Sequence, residues 1–537
     1  MGKKKKDNFG SIKQIEKEVV MEEKKKDNFG IMERRTFVKG AAIAGAAAMV
    51  SPLMLSRMAF GKEKSQAEIE MEKAAVEIGE AYKTDPVAMR ALNRAKEIAS
   101  KKKGIQLTVF MPAGAVINFM PFTKIWEKET GTKLKFFEVV NVEVDQKLMQ
   151  EAVTKSGKFD VLPTPPLSLT DLVDSKLLKD IGPYVADLNP DLDDIIKPLD
   201  KFTMYYRGKL WGINTDMDIF SMFLRDDLLN DPKNQEAFDK KYGYRLDTPQ
   251  TYKQLFDQIK FFDDPKKGFT GGFVYRKRKL CWMGWLQQFA STGTWMFDEN
   301  MNPNINNDAG VKVMEEQIEI QDYCNFKTMS YNWNDIYKNF AAGKGYTAQG
   351  WPSLGKYANA PATSKVIGKV RPAVMCGTEV NGTLVRAAQA SLGRSLSVSN
   401  YSKHPDFAYC YIQFATAPIV SAFAVSKATG LFDCYRYSHF TNPVVKNAYP
   451  EGFLPILLEN MKVAVPGFFL RAGKEYKDVL DAQLNAAYAG AIKPKAALAR
   501  VSEEWEKITE RQGRAGQIER WKELREFYPA NFRKVAG

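Results

Sequence analysis

Between residues 62 and 103 apolar positions recur every three or four residues against a background of Glu and Lys. That period predicts helix, and Asp85-Pro86 breaks the stretch into two helices. Lys101-Lys102-Lys103-Gly104 reads as a linker, so residues 62–103 are expected to form an accessory helical arm, dispensable for any binding further along. At Ile105 the pattern changes. Ile105–Phe110 reads as a strand, and Asn118–Glu129 as a helix capped by Gly131. Leu134–Val140 is a second strand, Val144–Thr154 a helix, Phe159–Leu162 a third strand and Leu169–Asp174 another helix. Strands alternating with helices predict βαβ units, hence an α/β fold with mostly parallel sheets flanked by helices. In such sheets ligands bind beyond the carboxyl ends of the strands, which places Met111–Val116 and Pro163–Ser168 at a binding edge.

The chain ahead of residue 62 follows a different logic. Arg34-Arg35 precede Thr36-Phe37-Val38-Lys39 and a weakly apolar Ala/Gly-rich run from Gly40 to about Leu55. This resembles a twin-arginine (Tat) export signal, with small residues at Ala59 and Gly61 suiting cleavage before Lys62. The run is too short and too rich in Ala for a good membrane span, and no Cys lies near the cleavage point to carry a lipid. Residues 1–31 hold a duplicated KKKDNFG, at Lys4–Gly10 and Lys24–Gly30, which is a polar duplication and not a structural repeat; Met21 and Met32 are alternative starts. Residues 1–61 are therefore set aside as leader. The remainder is expected to be a soluble periplasmic protein without a lipid anchor.

Composition changes this picture little. At 537 residues the chain exceeds one ordinary domain. The formal net charge is +14, but residues 1–61 supply 13 Lys+Arg against 7 Asp+Glu. The surplus left for the rest is mild and calls for no nucleic-acid partner. Two His leave little material for a His-based metal or catalytic site. The five Cys (281, 324, 376, 410 and 434) include no CxxC pair, so they read as free, buried thiols, with a disulfide left open for an exported chain. Aromatic residues make up 12%, including 9 Trp and 22 Tyr.

A series of motifs then runs in order. They are Phe122-x3-Trp126-Glu127-x3-Gly131, Phe159-Asp160-Val161, Leu177-Leu178-x-Asp180 and Gly208-Lys209-Leu210-Trp211-Gly212-Ile213-Asn214. Phe223–Leu228, Tyr242-Gly243-Tyr244-x-Leu246-x2-Pro249-x-Thr251-Tyr252 and Val398-Ser399-x2-Ser402-Lys403-His404-Pro405 follow. Together they resemble the carbohydrate-binding group of extracellular solute-binding proteins of ABC importers, over roughly residues 105–530. Thr429–His439 and Trp505–Arg514 resemble a longer subgroup. The resemblance implies a two-lobed periplasmic-binding-protein fold, type II-like, with the ligand cleft at the hinge. Crossings between lobes are expected near Thr215–Ile219, Arg386–Arg394 and Phe440–Val445. Lobe 1 is expected to take 104–217 plus 393–440, and lobe 2 to take 218–392 plus 441–537.

Sugars present apolar C–H faces and a rim of hydroxyls, so aromatic rings and fixed carboxylates are the residues to seek. Trp351 follows a strand-like Gly345–Ala348 and is the leading stacking candidate; Trp282, Trp285 and Trp295 are others, with core packing as the alternative for each. Asp216 and Asp218 bracket the first crossing and share one face if extended. Glu379 precedes the second crossing, Phe468 lies on a loop that by resemblance often faces the cleft, and Tyr476 follows it, with ordinary loop packing as the alternative for all three. Two acidic stretches, Asp298–Asn302 and Asp187–Asp193, read as turns or solvated loops and not as calcium sites. No cofactor, catalytic residue or metal is expected. The expected function is reversible capture of a carbohydrate or polyol by a monomer, and its delivery to membrane permease subunits. An exported carbohydrate-active hydrolase or lyase is the alternative; it needs two carboxyls flanking a bond about 5–10 Å apart.

Overall fold

The structure is a computed structural model that describes residues 76, 78–428 and 430–536. The leader, the twin-arginine segment and residues 62–75 lie outside the described residues.

Asp85 opens the first long helix. Its Oδ1 accepts from the amides of Val87 (2.9 Å) and Ala88 (3.2 Å), and Pro86 occupies the first turn, where its missing N–H costs nothing. This helix, α1 (Pro86–Lys101), buries Val87, Ala88, Ala91, Leu92 and Ala95 on one face. It packs against the helix Pro405–Thr416, so residues 86–101 of the expected accessory arm are built into the fold. Its apolar period is legible in the sequence, but the partner that buries this face is far away along the chain.

The chain then builds β1 (Gln106–Pro112), α2 (Met120–Thr130), β2 (Lys133–Val139), α3 (Val144–Thr154) and β3 (Val161–Thr164). Gly131, at φ 68°, closes α2 in the left-handed conformation expected of a helix-ending Gly. After a long excursion come β4 (Ile213–Asn214) and β5 (Ser221–Arg225). Next are α4 (Tyr252–Phe262), β6 (Thr270–Phe273), α5 (Trp282–Ser291), β7 (Gly345–Gly350), α6 (Ser353–Ala358) and β8 (Val370–Ala373). The hairpin β9 (Gly377–Val380) and β10 (Thr383–Arg386) leads to β11 (Ala388–Ala390) and β12 (Ser395–Val398). Helices α7 (Pro405–Thr416) and α8 (Pro418–Val425) follow, then β13 (Ala464–Pro466), α9 (Gly473–Tyr488), α10 (Pro494–Gln512) and α11 (Arg514–Arg525).

Two sheets organise two lobes. The first has strand order β2-β1-β3-β12-β4 and the second β8-β5-β7-β6. Pairing is mixed. β1 is parallel to β2 and β3, whereas β12 is antiparallel to β3 and β4. In the second sheet β5 is antiparallel to β8 and β7, and only β6–β7 is parallel. The mostly parallel expectation therefore holds for the βαβ strands β1–β3. It gives way where a strand enters a sheet from the other lobe, since such a strand is free to run either way. On the free edge of the first sheet, β2 exposes Lys133 and Lys135, charges that discourage edge-to-edge pairing.

The lobes are joined by paired connectors. Thr215–Phe220 runs from β4 to β5, and Ser391–Arg394 returns from β11 to β12. They lie side by side: the Thr215 amide donates to Arg394 O (3.1 Å), Ser391 and Leu392 amides to Asp218 O (3.0 and 3.1 Å), and the Phe220 amide to Gln389 O (3.0 Å). Gly393 is required here. It sits at φ 55°, and a Cβ would lie 2.6 Å from Asp216 Cγ. Among the described residues no single helix is long and apolar enough to cross a membrane. All five Cys are free and buried.

Candidate functional site

In the first connector Asp216 and Asp218 bring their carboxylates together, while Met217 and Ile219 are fully buried. Asp216 is buried and accepts the Asp433 amide on Oδ1 (2.9 Å). Asp433, also buried, accepts Ser353 N (3.0 Å) and Tyr449 Oη (2.8 Å), and its Oδ1 lies 3.4 Å from Lys356 Nζ. Lys356, on α6, is wholly buried and also donates to Val425 O at 3.0 Å, so it ties α6 to the end of α8. Carboxylate oxygens of Asp216, Asp218 and Asp433 all lie within 4.8 Å of one another.

Three crowded carboxylates in a desolvated site disfavour full ionisation. Burial, reinforced by Asp433, pushes Asp216 up to about 7. Burial and the two neighbouring carboxylates push Asp218 well above the usual range. Burial raises Asp433 as well, with Lys356 pulling the other way. The spacing invites comparison with a cation site, but both Asp433 oxygens are taken and the Lys356 ammonium already supplies the positive charge. Among the described residues no hydrogen bond reaches the Asp218 carboxylate. Arg394, on the second connector, keeps a buried Nη1 without a partner, and its charge favours ionised Asp216 and Asp218.

Trp351 follows β7 directly. Its Nε1 donates to Ser391 Oγ (3.3 Å), which donates to Gln389 Oε1 (2.9 Å), so the indole is tethered to the second connector. The half-buried ring meets Phe220 edge-on at 5.4 Å and Tyr275 at 5.6 Å. Gln389 Nε2 and Asn214 Nδ2 are buried without partners nearby on the same connectors and strands.

The hinge thus gathers Asp216, Asp218 and Trp351. The other candidates sit in packed clusters. Trp285 stacks on Phe289 at 4.7 Å, and Trp282 packs on Phe468 at 5.9 Å. Trp295 is enclosed by Trp521, Tyr528 and Phe532 with Arg525 over its face. Tyr476 is buried and shares a 2.7 Å hydrogen bond with Thr509, and Phe468 is fully buried. Glu379 is exposed on the β9–β10 hairpin. Asp298 closes its own loop by accepting from Asn300 and Asn302, as a turn does. Sequence reading missed Lys356, Gln389, Arg394 and Asp433. Arg394 ends the expected second crossing and Asp433 lies in the distinctive Thr429–His439 stretch, so both carried a signal. Lys356 carried none, since a lysine on a short helix reads as solvent-facing.

Residues 113–420 match the family model for bacterial extracellular solute-binding proteins. The chain belongs to that family. Solved structures agree on the fold of this solute-binding protein. An ABC transporter solute-binding protein from Agrobacterium radiobacter K84, in complex with ribitol, is 20% identical with a TM-score of 0.65, covering 75% of this chain and 99% of that one. Maltose-bound MalE3 of T. maritima is 18% identical, TM-score 0.64, with the same coverage. A solute-binding protein from Agrobacterium vitis S4 with bound D-mannitol is 19% identical, TM-score 0.63, covering 76% and 99%. The search of curated protein sequences finds no significant match.

Proposed function

We propose that this solute-binding protein captures a carbohydrate or polyol at the hinge and delivers it to the membrane permease of an ABC importer. The observation that carries the reading is the set of open hydrogen-bonding groups beside a tethered indole. Among the described residues the Asp218 carboxylate accepts no hydrogen bond, and Arg394 Nη1 and Gln389 Nε2 donate none, on the connectors to which Trp351 is tethered. Acceptor, donors and an aromatic face together suit a vicinal diol on an apolar carbon frame. The sugars and polyols bound by the structural neighbours support the same class.

In this reading Asp218 and Arg394 take adjacent hydroxyls, Trp351 covers a C–H face, and Asp216 positions the first connector through Asp433. The lobes run as 104–217 with 393–440, joined by α1, and 218–392 with 441–537. They close by bending at the paired connectors, because a closed cleft gains contacts from both sides. Export through the twin-arginine route to the periplasm completes the proposal. A thermal-shift screen across sugars, polyols and sugar acids tests it. A ligand at 100 times its dissociation constant raises stability by about 2.7 kcal/mol, and a flat response across every class overturns the reading.

A further inference from the structure

Trp351 rests on Phe220 (5.4 Å) and Tyr275 (5.6 Å), and the same two rings line a half-open pocket in the second lobe. Arg276, Gln287 and Gln349 also line it. Topology explains why pocket and indole adjoin. Strands β6 and β7 run parallel, and ligands of such strands lie beyond their carboxyl ends. Trp351 follows the end of β7, and Tyr275-Arg276 follow the end of β6. The pocket volume of about 30 Å³ admits about two water-sized groups and no sugar ring. It is thus sized for one end of a ligand whose body lies against Trp351.

Charge decides which end enters. Arg276 is 3% exposed. Its Nη1 donates to Tyr275 O (3.1 Å) and its Nη2 to Gln317 O (3.0 Å), and the Tyr488 ring lies 4.5 Å from the guanidinium. All three partners are neutral. Arg276 Nε has no partner, and among the described residues no carboxylate forms an ion pair with Arg276. The carboxylates of this region are engaged elsewhere. Asp481 accepts from Arg278 Nη1 (2.6 Å), Lys279 N (2.5 Å) and Trp282 N (3.3 Å). Glu316 accepts from Gln288 Nε2 (2.8 Å) and has Lys312 3.9 Å away. A buried guanidinium without a counter-charge is strongly disfavoured. A carboxylate entering the pocket supplies that charge whichever N–H it meets, because the attraction of opposite charges does not depend on donor direction. Gln287 Oε1, buried and without a partner, suits a hydroxyl of the same ligand.

We propose that the ligand is a sugar acid, an aldonate or a uronate, with its carboxylate in this pocket under the charge of Arg276. Its hydroxyl-bearing carbons cross Trp351 toward Asp218. This rests on the hinge reading above and narrows its substrate class. The two charges also fix the orientation, since the reversed ligand would bring its carboxylate against Asp216, Asp218 and Asp433.

Calorimetric titration of the purified chain with matched pairs tests this. The pairs are D-gluconate and D-glucitol, D-glucuronate and D-glucose, and D-galacturonate and D-galactose, each differing only at one terminal carbon. At least one acid should bind about tenfold tighter than its neutral counterpart. Arg276→Gln removes the charge and should bring that pair within about threefold by weakening the acid. Gln287→Glu places a carboxylate in the pocket and should reverse the preference, which keeps the test decisive if Arg276→Gln fails to melt cooperatively. A neutral sugar or polyol that binds as tightly as its acid overturns this proposal and leaves the hinge reading standing. An undiminished acid preference in either folded variant overturns it as well. No binding by any member of any pair overturns both.

Discussion

Asp216, Asp218 and Asp433 crowd together with Lys356 and Arg394 as the cations facing them, and that arrangement sets how stability responds to pH. A carboxyl raised to about 7 in the native state, as at Asp216, holds its proton more tightly folded than unfolded. Its stabilising contribution is therefore full below the unfolded value near 3.9 and is lost as pH rises through about 7. Thermal melts should accordingly show Tm falling between pH 5 and pH 8, and Asp216→Asn should flatten that slope; an unchanged slope in the variant would place the titration elsewhere. Lys356→Met poses the complementary question. It leaves buried Asp433 without its cation, and removing one partner of a buried pair typically costs about 3–5 kcal/mol. Denaturant unfolding should register a loss of that order, and a change below about 1 kcal/mol would show that Asp433 does not depend on Lys356.

Helix α1 shows the same logic for an element. Asp85 serves two elements at once: Oδ1 caps α1 and Oδ2 accepts the Ile419 amide (2.8 Å) at the start of α8. Asp85→Ala should thus cost about 2 kcal/mol, more than a simple cap, because it also strands a buried donor. Deletion through residue 101 should abolish cooperative folding of the first lobe, where a detachable arm would leave the melt intact; circular dichroism melts separate the two. Legibility in the sequence followed the range of the interactions. Val144–Thr154 and Leu169–Asp174 coincide with the expected helices, because their apolar period is local. The antiparallel entry of β12 and β5 was illegible, since strand direction there depends on how the chain returns from the other lobe. Trp282, Trp285 and Trp295 could not be told from cleft aromatics, as the same ring chemistry serves a packed core and a sugar face.

At the scale of the whole molecule, two sheets joined by paired connectors place a small polar site where both lobes contribute. The placement of Asp216, Asp218 and Trp351 at the hinge was readable because each sits at a strand end or a crossing. Lys356 was not, because tertiary packing alone brings α6 to the segment after α8. Export is a prediction at this scale too. Replacing Arg34-Arg35 by Lys should retain full-length protein in the cytoplasm on cell fractionation, and normal periplasmic accumulation would contradict it. The central claim is that the hinge binds a hydroxylated ligand through Trp351 and Asp218. Calorimetric titration of one responsive sugar or polyol into wild type, Trp351→Ala and Asp218→Ala tests it most directly, with melts run in parallel. The account predicts a saturable wild-type isotherm and a loss of about 1–3 kcal/mol of binding in each variant, with Tm little changed. Wild-type affinity in Trp351→Ala together with a collapsed Tm would show that this indole is core and that the ligand lies elsewhere.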